Sequence, residues 1–327
     1  RSRDNFRVGD PVILYQRIKP ADNAVTRQVL RCSVEAFDND TLTLQLNHPQ
    51  TNVRWFNLAS RYAVEHDYMD ASMRQQYKGL YAFLKASPQR RDLLLGHRLP
   101  EVDDSQTLKG TYPNSQIADI VLRAKRAKDY FLLVGPPGTG KTSVALKAMV
   151  DECVLERQSL LLMAYTNRAV DEICKMLGER SYIRLGRDLS CDPAYRSHLL
   201  EAMVGDDTSR NAVRSMLLNI PIWVGTVSSI LSHKALFKLR RFDVAIFDEA
   251  SQILEPQLLG LLCNEHDGLP SIGKFVMIRD YKQLPAVVVQ DEEVAKVKSS
   301  QLNEIGLTNC CNISRSEERF SRNAETD

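Results

Sequence analysis

The 327 residues contain no apolar run approaching the roughly 20 needed to cross a bilayer. The first residues also lack the short apolar stretch of a secretory signal. A soluble interior compartment is therefore expected: cytoplasm, or nucleus in a eukaryote. No charge of one sign dominates, since 43 Lys and Arg face 41 Asp and Glu for a net +2, which neither demands nor forbids a polyanionic partner. Cysteine occurs seven times, an odd number with no C-x-x-C spacing, and the six histidines are scattered, which excludes a zinc or iron–sulfur framework. Most of these cysteines read as reduced, partly buried apolar residues. Internal repeats and low-complexity tracts are absent too, so solenoids and disordered tails are set aside. What remains is an ordinary soluble composition, 43% hydrophobic and 26% charged, with length for about two domains. The chain opens on Arg1 and closes on a polar run over 321–327, from which a piece of a longer polypeptide is expected.

The charge is unevenly spread. Residues 1–100 carry 15 basic and 10 acidic side chains, so a basic footprint is sought there. Within 6–58, strand-like runs at 12–15, 29–37, 41–46 and 53–56 are broken by turns, and Leu42, Leu44 and Leu46 alternate with polar residues as in a half-buried strand. A small antiparallel β-barrel over 1–68 is expected. Between 70 and 95 the period lengthens to that of a helix, with Met73, Tyr77, Leu80, Tyr81 and Leu84 as its apolar stripe and Pro88 opening a second helix. This stalk, 69–107, is expected to pack its stripe on the next unit. From 108 to 327 strands and helices alternate: strands at 130–134, 159–164, 222–225, 242–247 and 275–278, helices at 141–155 and 167–177, and a helical stretch over 194–219 broken near 206–209. Apolar strands followed by amphipathic helices give an α/β fold with a mostly parallel sheet covered on both faces.

Two segments carry chemistry. Gly135-Pro136-Pro137-Gly138-Thr139-Gly140-Lys141-Thr142 satisfies G-x-x-x-x-G-K-[ST] between an expected strand and an expected helix, the context of a phosphate-binding loop. Glycines let backbone N–H groups turn toward phosphate, and the helix start adds its dipole. Lys141 would reach the β- and γ-phosphates of a bound nucleotide, and the Thr142 hydroxyl would ligate Mg²⁺. The second segment is Asp248-Glu249-Ala250-Ser251 at the end of an apolar strand. There Asp248 would hold Mg²⁺ through its water shell and Glu249 would polarise the attacking water. Together they point to nucleoside triphosphate hydrolysis, and what separates a pump, a GTPase, a clamp loader and a helicase must come from elsewhere in the chain.

Beyond these, the chain resembles the first RecA-like domain of a superfamily 1 helicase, in the 5′ to 3′ subgroup that includes the nonsense-mediated decay helicase and its DNA-processing relatives. The resemblance covers about 108–289. Tyr112-Pro113-Asn114-Ser115-Gln116 is similar to the Q-motif, which implies that Gln116 reads the adenine edge. Ala164-Tyr165-Thr166-Asn167-Arg168-Ala169-Val170-Asp171 resembles motif Ia, implying nucleic-acid backbone contacts from Thr166 and Asn167. Gly225-Thr226-Val227-Ser228-Ser229 resembles the next such motif, implying contacts from Thr226 and Ser228. Asp280-Tyr281-Lys282-Gln283-Leu284-Pro285 resembles motif III, in which Gln283 would sense the γ-phosphate. Thr166, Asn167, Ser228 and Ser229 also suit helix caps, which does not exclude a backbone contact, and Gln116 also suits an ordinary surface. The barrel and stalk also match the subgroup's layout, with Arg17, Lys19, Arg27 and Arg31 available to phosphates; Trp55 and Phe56 read as packing residues, though both rings could stack on a base, and Arg90-Arg91 reads as a solvated helix face.

One element of the resemblance has no counterpart. After Pro285 about 40 residues follow, too few for the second RecA-like domain that closes on ATP and supplies arginine fingers. The expectation is half of a motor: a monomeric Mg²⁺-ATP hydrolase, weakly active alone, moving on single-stranded DNA or RNA when joined to its second domain. A nucleic-acid-binding ATPase switch without processive unwinding is the alternative. A degenerate module that lost catalysis is the third reading, supported by Arg279, which stands where the family has glycine.

Overall fold

The computed structural model describes residues 6–38, 41–57, 60–67, 71–135, 141–205, 209–279 and 300, with backbone alone for 71–72 and 141–143. The chain divides into two compact units, 1–74 and 75–327, each described by itself.

The first unit is built on β1 (Pro11–Gln16), β2 (Val29–Phe37), β3 (Leu42–Leu46) and β4 (Tyr62–His66), all antiparallel in the order β3-β2-β1-β4. Val12, Cys32 and Val34 are fully buried, and Leu42, Leu44 and Leu46 pack on them, as their alternation requires. Among the described residues β3 and β4 are the outer strands of this sheet, with no pairing between them. The apolar run at 53–56 is not a strand: Val53–Trp55 is a 3₁₀ turn. Its Trp55 carbonyl accepts from Gln16 Nε2 at 2.7 Å and from Tyr62 Oη at 2.8 Å, which takes up the acceptor a ladder would need. Trp55 is 8% exposed and packs as expected, while Phe56 is 42% exposed. Of the four cations, Arg27 is paired with Asp22 at 2.9 Å and Arg31 with Asp67 at 3.1 Å, whereas Arg17 and Lys19 are exposed.

Helix α1 (Ala71–Lys85) crosses the division, and α2 (Pro88–Leu95) follows it with Ser87 accepting from Arg90 N, Pro88 at its start and Gly96 at φ 75° ending it. The stripe expected to pack is the exposed side of α1: Tyr77, Tyr81 and Leu84 are 74%, 62% and 67% exposed. The opposite side, Gly79, Ala82 and Phe83, faces the core instead. Gly79 decides this, because a side chain there would run into the backbone of Pro256. Arg90 likewise departs from the solvated face expected of it. It is 7% exposed, donates to the carbonyls of Leu262 (3.0 Å) and Ile272 (3.4 Å), and lies over the Phe275 ring.

The elements that follow are α3 (Ser115–Arg126), β5 (Tyr130–Val134), a π turn (Lys141–Leu146) running into α4 (Lys147–Leu155), β6 (Leu160–Ala164), α5 (Asn167–Leu177), β7 (Tyr182–Leu185), α6 (Leu200–Met203), α7 (Arg210–Asn219), β8 (Ile222–Thr226), α8 (Val227–Ser232), β9 (Phe242–Phe247), α9 (Glu255–Leu262), β10 (Glu265–His266), β11 (Leu269–Pro270) and β12 (Ile272–Arg279). Six strands make one parallel sheet in the order β5-β12-β9-β6-β8-β7. Period-two alternation splits its side chains between two cores. Leu161, Met163, Phe275 and Met277 join one face, and Leu160, Leu162, Val276 and Ile278 the other. This is the α/β RecA-like fold of the phosphate-loop nucleotidases. Strands β4 and β7 had no strong sequence signal, being short runs interrupted by charge.

Candidate active site

Because all six strands run parallel, every strand ends at the same edge. After β5 the chain skips two positions to β6, then returns to fill the gap with β9 and β12. Such a switch in order leaves a crevice outside the carboxyl ends, where ligands of open α/β sheets bind. Gly135 leaves β5 there, and its N–H donates to Arg279 O at 3.2 Å at the end of β12. Residues Pro136, Pro137, Gly138, Thr139 and Gly140, and Gln283 beyond β12, lie outside the described residues. Lys141 and Thr142 begin the π turn, and their side chains are likewise outside the description.

Asp248 and Glu249 follow β9 at this edge. Asp248 is 3% exposed, its N–H is bound to Met163 O at 2.8 Å, and its Oδ1 accepts from Glu249 N at 3.1 Å. Glu249 adopts φ 53°, ψ 40°, a left-handed conformation that costs a non-glycine residue about 1 kcal/mol and is concentrated at functional sites. Burial, and then the neighbouring Asp248, push its carboxyl above the usual range, which suits a proton acceptor. No cluster of three or more His, Cys, Asp or Glu able to hold a metal is present among the described residues. Mg²⁺ needs none, since it is commonly held by one or two carboxylates, phosphate oxygens and water. One buried carboxylate at a strand end fits that donor set.

Gln116 lies exposed in the first turn of α3, whose start is capped by Asn114 Oδ1 accepting from Ile117 N at 2.8 Å. Helix α3 rests on both the π turn and α4, so Gln116 belongs to the same assembly as the phosphate-loop helix. The residues leading to it are held by Glu152 of α4, which composition alone did not single out. Its Oε1 accepts from Lys109 N (2.8 Å) and Lys125 Nζ (2.7 Å), and its Oε2 from Gly110 N (2.9 Å) and Tyr112 Oη (2.5 Å). Burial alone would raise this carboxyl, but the donors from Lys125, Tyr112, Lys109 and Gly110 outweigh it and hold Glu152 at about 2. The signal that could have found it is periodicity: Glu152 falls three and seven residues after Met149 and Ala145, on the buried side of the helix.

The proposed nucleic-acid contacts sit at the ends of β6 and β8. Thr166 is exposed and caps α5, its Oγ1 accepting from Ala169 N at 3.1 Å, with Asn167 half-buried beside it. Thr226 is 6% exposed and caps α8 by accepting from Ser229 N at 3.1 Å. Ser228 is exposed, and its backbone carbonyl accepts from Gln75 Nε2 at 3.2 Å. Helix α5 is tied to β7 by an ion pair between Asp171 and Arg184, the latter 1% exposed. The thiols of Cys153, Cys174 and Cys263 are pushed up to about 11 by burial, which keeps them protonated at neutral pH. A cavity of about 340 Å³ lined by Lys125, Cys153, Asp243 and Lys274 opens at the amino end of the sheet, away from Asp248.

Residues 112–209 and 204–291 match the family model described as an AAA domain, more than half of the chain in all. The chain belongs to the AAA domain family. Among similar curated proteins is the DNA replication ATP-dependent helicase/nuclease JHS1 of Arabidopsis thaliana, 27% identical over 88% of this chain and 22% of its own length. The DNA replication ATP-dependent helicase/nuclease DNA2 of Gallus gallus is 29% identical over 72% of this chain and 24% of its own length. The human protein of the same name is 33% identical over 54% of this chain and 16% of its own. The chain thus spans less than a quarter of these relatives. No described helix is long and apolar enough to cross a membrane.

Proposed function

We propose that this chain is the first RecA-like half of a superfamily 1 motor of the 5′ to 3′ subgroup, coupling Mg²⁺-ATP hydrolysis to movement on single-stranded DNA or RNA. The observation that carries the reading is the convergence, at one sheet edge, of the β5 and β9 ends that would handle nucleotide and the β6 and β8 ends that would handle nucleic acid. The similarity to helicase/nucleases supports the same reading.

The backbone of 135–140 and Lys141 would cradle the triphosphate, and Thr142 with Asp248 would hold Mg²⁺, which would neutralise charge on the phosphates. Gln116 would select the base. Glu249, with its raised proton affinity, takes the proton of the attacking water. Gln283 would report the γ-phosphate to the strand track at Thr166, Asn167, Thr226 and Ser228. Cations for the developing charge would come from a second RecA-like domain in the same longer, monomeric polypeptide, in cytoplasm or nucleus.

The test is Mg²⁺-ATP turnover with and without single-stranded DNA or RNA, comparing a full-length protein carrying this segment, this chain alone, and Lys141→Ala. Polymer-stimulated turnover in the long protein, lost in the variant and nearly absent from the chain alone, is the expected result. ATP binding without stimulation by either polymer would overturn the motor reading in favour of an ATP-gated scaffold.

A further inference from the structure

We infer that Glu152 is a positioning residue for base selection: through the 109–112 segment it fixes the helix start that presents Gln116, and so sets the preference for adenine over guanine. The inference rests on the nucleotide reading above and deepens it.

The geometry is that of a filled junction. A carboxylate offers about four acceptor positions, and here all four are taken by donors from two different stretches of chain: two N–H groups and a phenol from 109–112 and the ammonium of Lys125 in α3. Lys125 extends the clamp, since its Nζ also donates to Thr107 O at 2.6 Å and pairs with Glu156. Glu156 in turn holds Lys109 Nζ at 2.8 Å. The segment 107–112 is therefore fastened to both α3 and α4. Gly110 permits the fold-back, as a Cβ there would lie 2.7 Å from Tyr112 Oη and 3.2 Å from Leu155 Cδ1.

Only Pro113, Asn114 and Ser115 separate Tyr112 from Gln116, and Asn114 is already fixed as the helix cap. Few rotatable bonds remain between the clamp and the exposed amide. Helix α4 continues directly from the turn that starts with Lys141, so one rigid element would hold phosphate at its beginning and, through Glu152, register the base reader near its end. An amide selects adenine by matching a donor and an acceptor at once, and a small displacement would lose that pairing while leaving phosphate contacts intact. Glu152 touches neither base nor phosphate in this scheme. It acts through Tyr112 and the helix start.

The experiment measures competition of Mg²⁺-ATP and Mg²⁺-GTP against a fluorescent ATP analogue on the 327-residue chain, for the unaltered protein, Glu152→Gln and Tyr112→Phe. Glu152→Gln keeps the shape but puts an amide N–H₂ against other donors. It should weaken ATP about tenfold and GTP less than about twofold, so that the preference collapses. Tyr112→Phe keeps the ring packing, removes one of four donors, and should lower the preference about threefold. Should Glu152→Gln not fold, as its thermal melt would report, Tyr112→Phe alone decides. An unchanged ATP/GTP ratio in the folded variants, or an equal loss for both nucleotides, refutes the positioning role and leaves the nucleotide reading standing. If the unaltered chain binds neither nucleotide, or both alike, the adenine reading itself fails and takes this inference with it.

Discussion

Replacing Gly79 with alanine should destabilise the second unit, although alanine is the better helix former. A Cβ at Gly79 would lie 1.8 Å from Pro256 O, 2.9 Å from Pro256 C and 3.0 Å from Gly260 N. Ordinary contact begins near 3.4 Å, so α1 must retreat from α9 by more than an ångström. Neither side can yield by rotating a side chain, because the opposing atoms are backbone, and a Cβ built on Gly260 would in turn lie 3.3 Å from Gly79 Cα. Overpacking of this kind costs about 1–3 kcal/mol, and a rigid clash belongs near the top of that range. Better helix propensity offsets about 1 kcal/mol. The net is a loss of about 2 kcal/mol. Trp223, buried in the second unit, reports its unfolding, and Trp55 of the first unit is replaced by phenylalanine to silence it. With a urea slope of about 3 kcal/mol/M, the midpoint should fall by roughly 0.7 M. An unchanged or higher midpoint would mean that Gly79 is an ordinary exposed helix glycine, and the close approach would be refuted. Leu84→Ala, on the exposed side, should leave the midpoint within about 0.2 M.

Glu249→Gln should abolish hydrolysis while leaving ATP affinity within about threefold, read as turnover beside nucleotide competition; turnover at the unaltered rate would remove Glu249 from the chemistry. Asp171→Ala should cost about 3 kcal/mol in urea unfolding, because Arg184 would stay buried without its counter-charge, and adding Arg184→Met should recover part of the loss. Acid stability should carry the mark of Glu152. Its carboxyl lies at about 2 in the folded chain against 4.5 for the ordinary group, so its contribution is complete above pH 4.5 and is lost as pH falls toward 2. Glu152→Gln should flatten that acid limb of the stability profile, and an identical limb in both proteins would contradict the assignment.

Much of the second unit was legible in the sequence, since the strands at 130–134 and 242–247 match β5 and β9 to the residue and the strand and helix flanking Thr166 lie as expected. Continuous apolar strands, caps and glycine spacing are local signals, set by backbone geometry and burial within a few residues, and they marked the α/β core before any fold was seen. The alternation over 42–46 likewise identified a half-buried strand. At 53–56 the same kind of run misled, because the Trp55 carbonyl is claimed by Gln16 and Tyr62, partners distant in sequence or beyond the turn.

What only the tertiary structure decided depends on residues brought together from far apart. Periodicity assigned α1 its apolar stripe, but which side packs was settled by backbone clearance at Gly79 against a helix about 180 residues later in the chain. Charge type placed Arg90 in solvent, whereas the carbonyls of Leu262 and Ile272 gave it a buried berth. Glu152 reads in sequence as one acid in a helix, and becomes a junction only when 107–112 folds back over α4. Local pattern fixes which element forms and which residue types stand at its ends. Which donors meet which acceptors across the fold is a property of three-dimensional proximity, and no spacing along the chain encodes it directly.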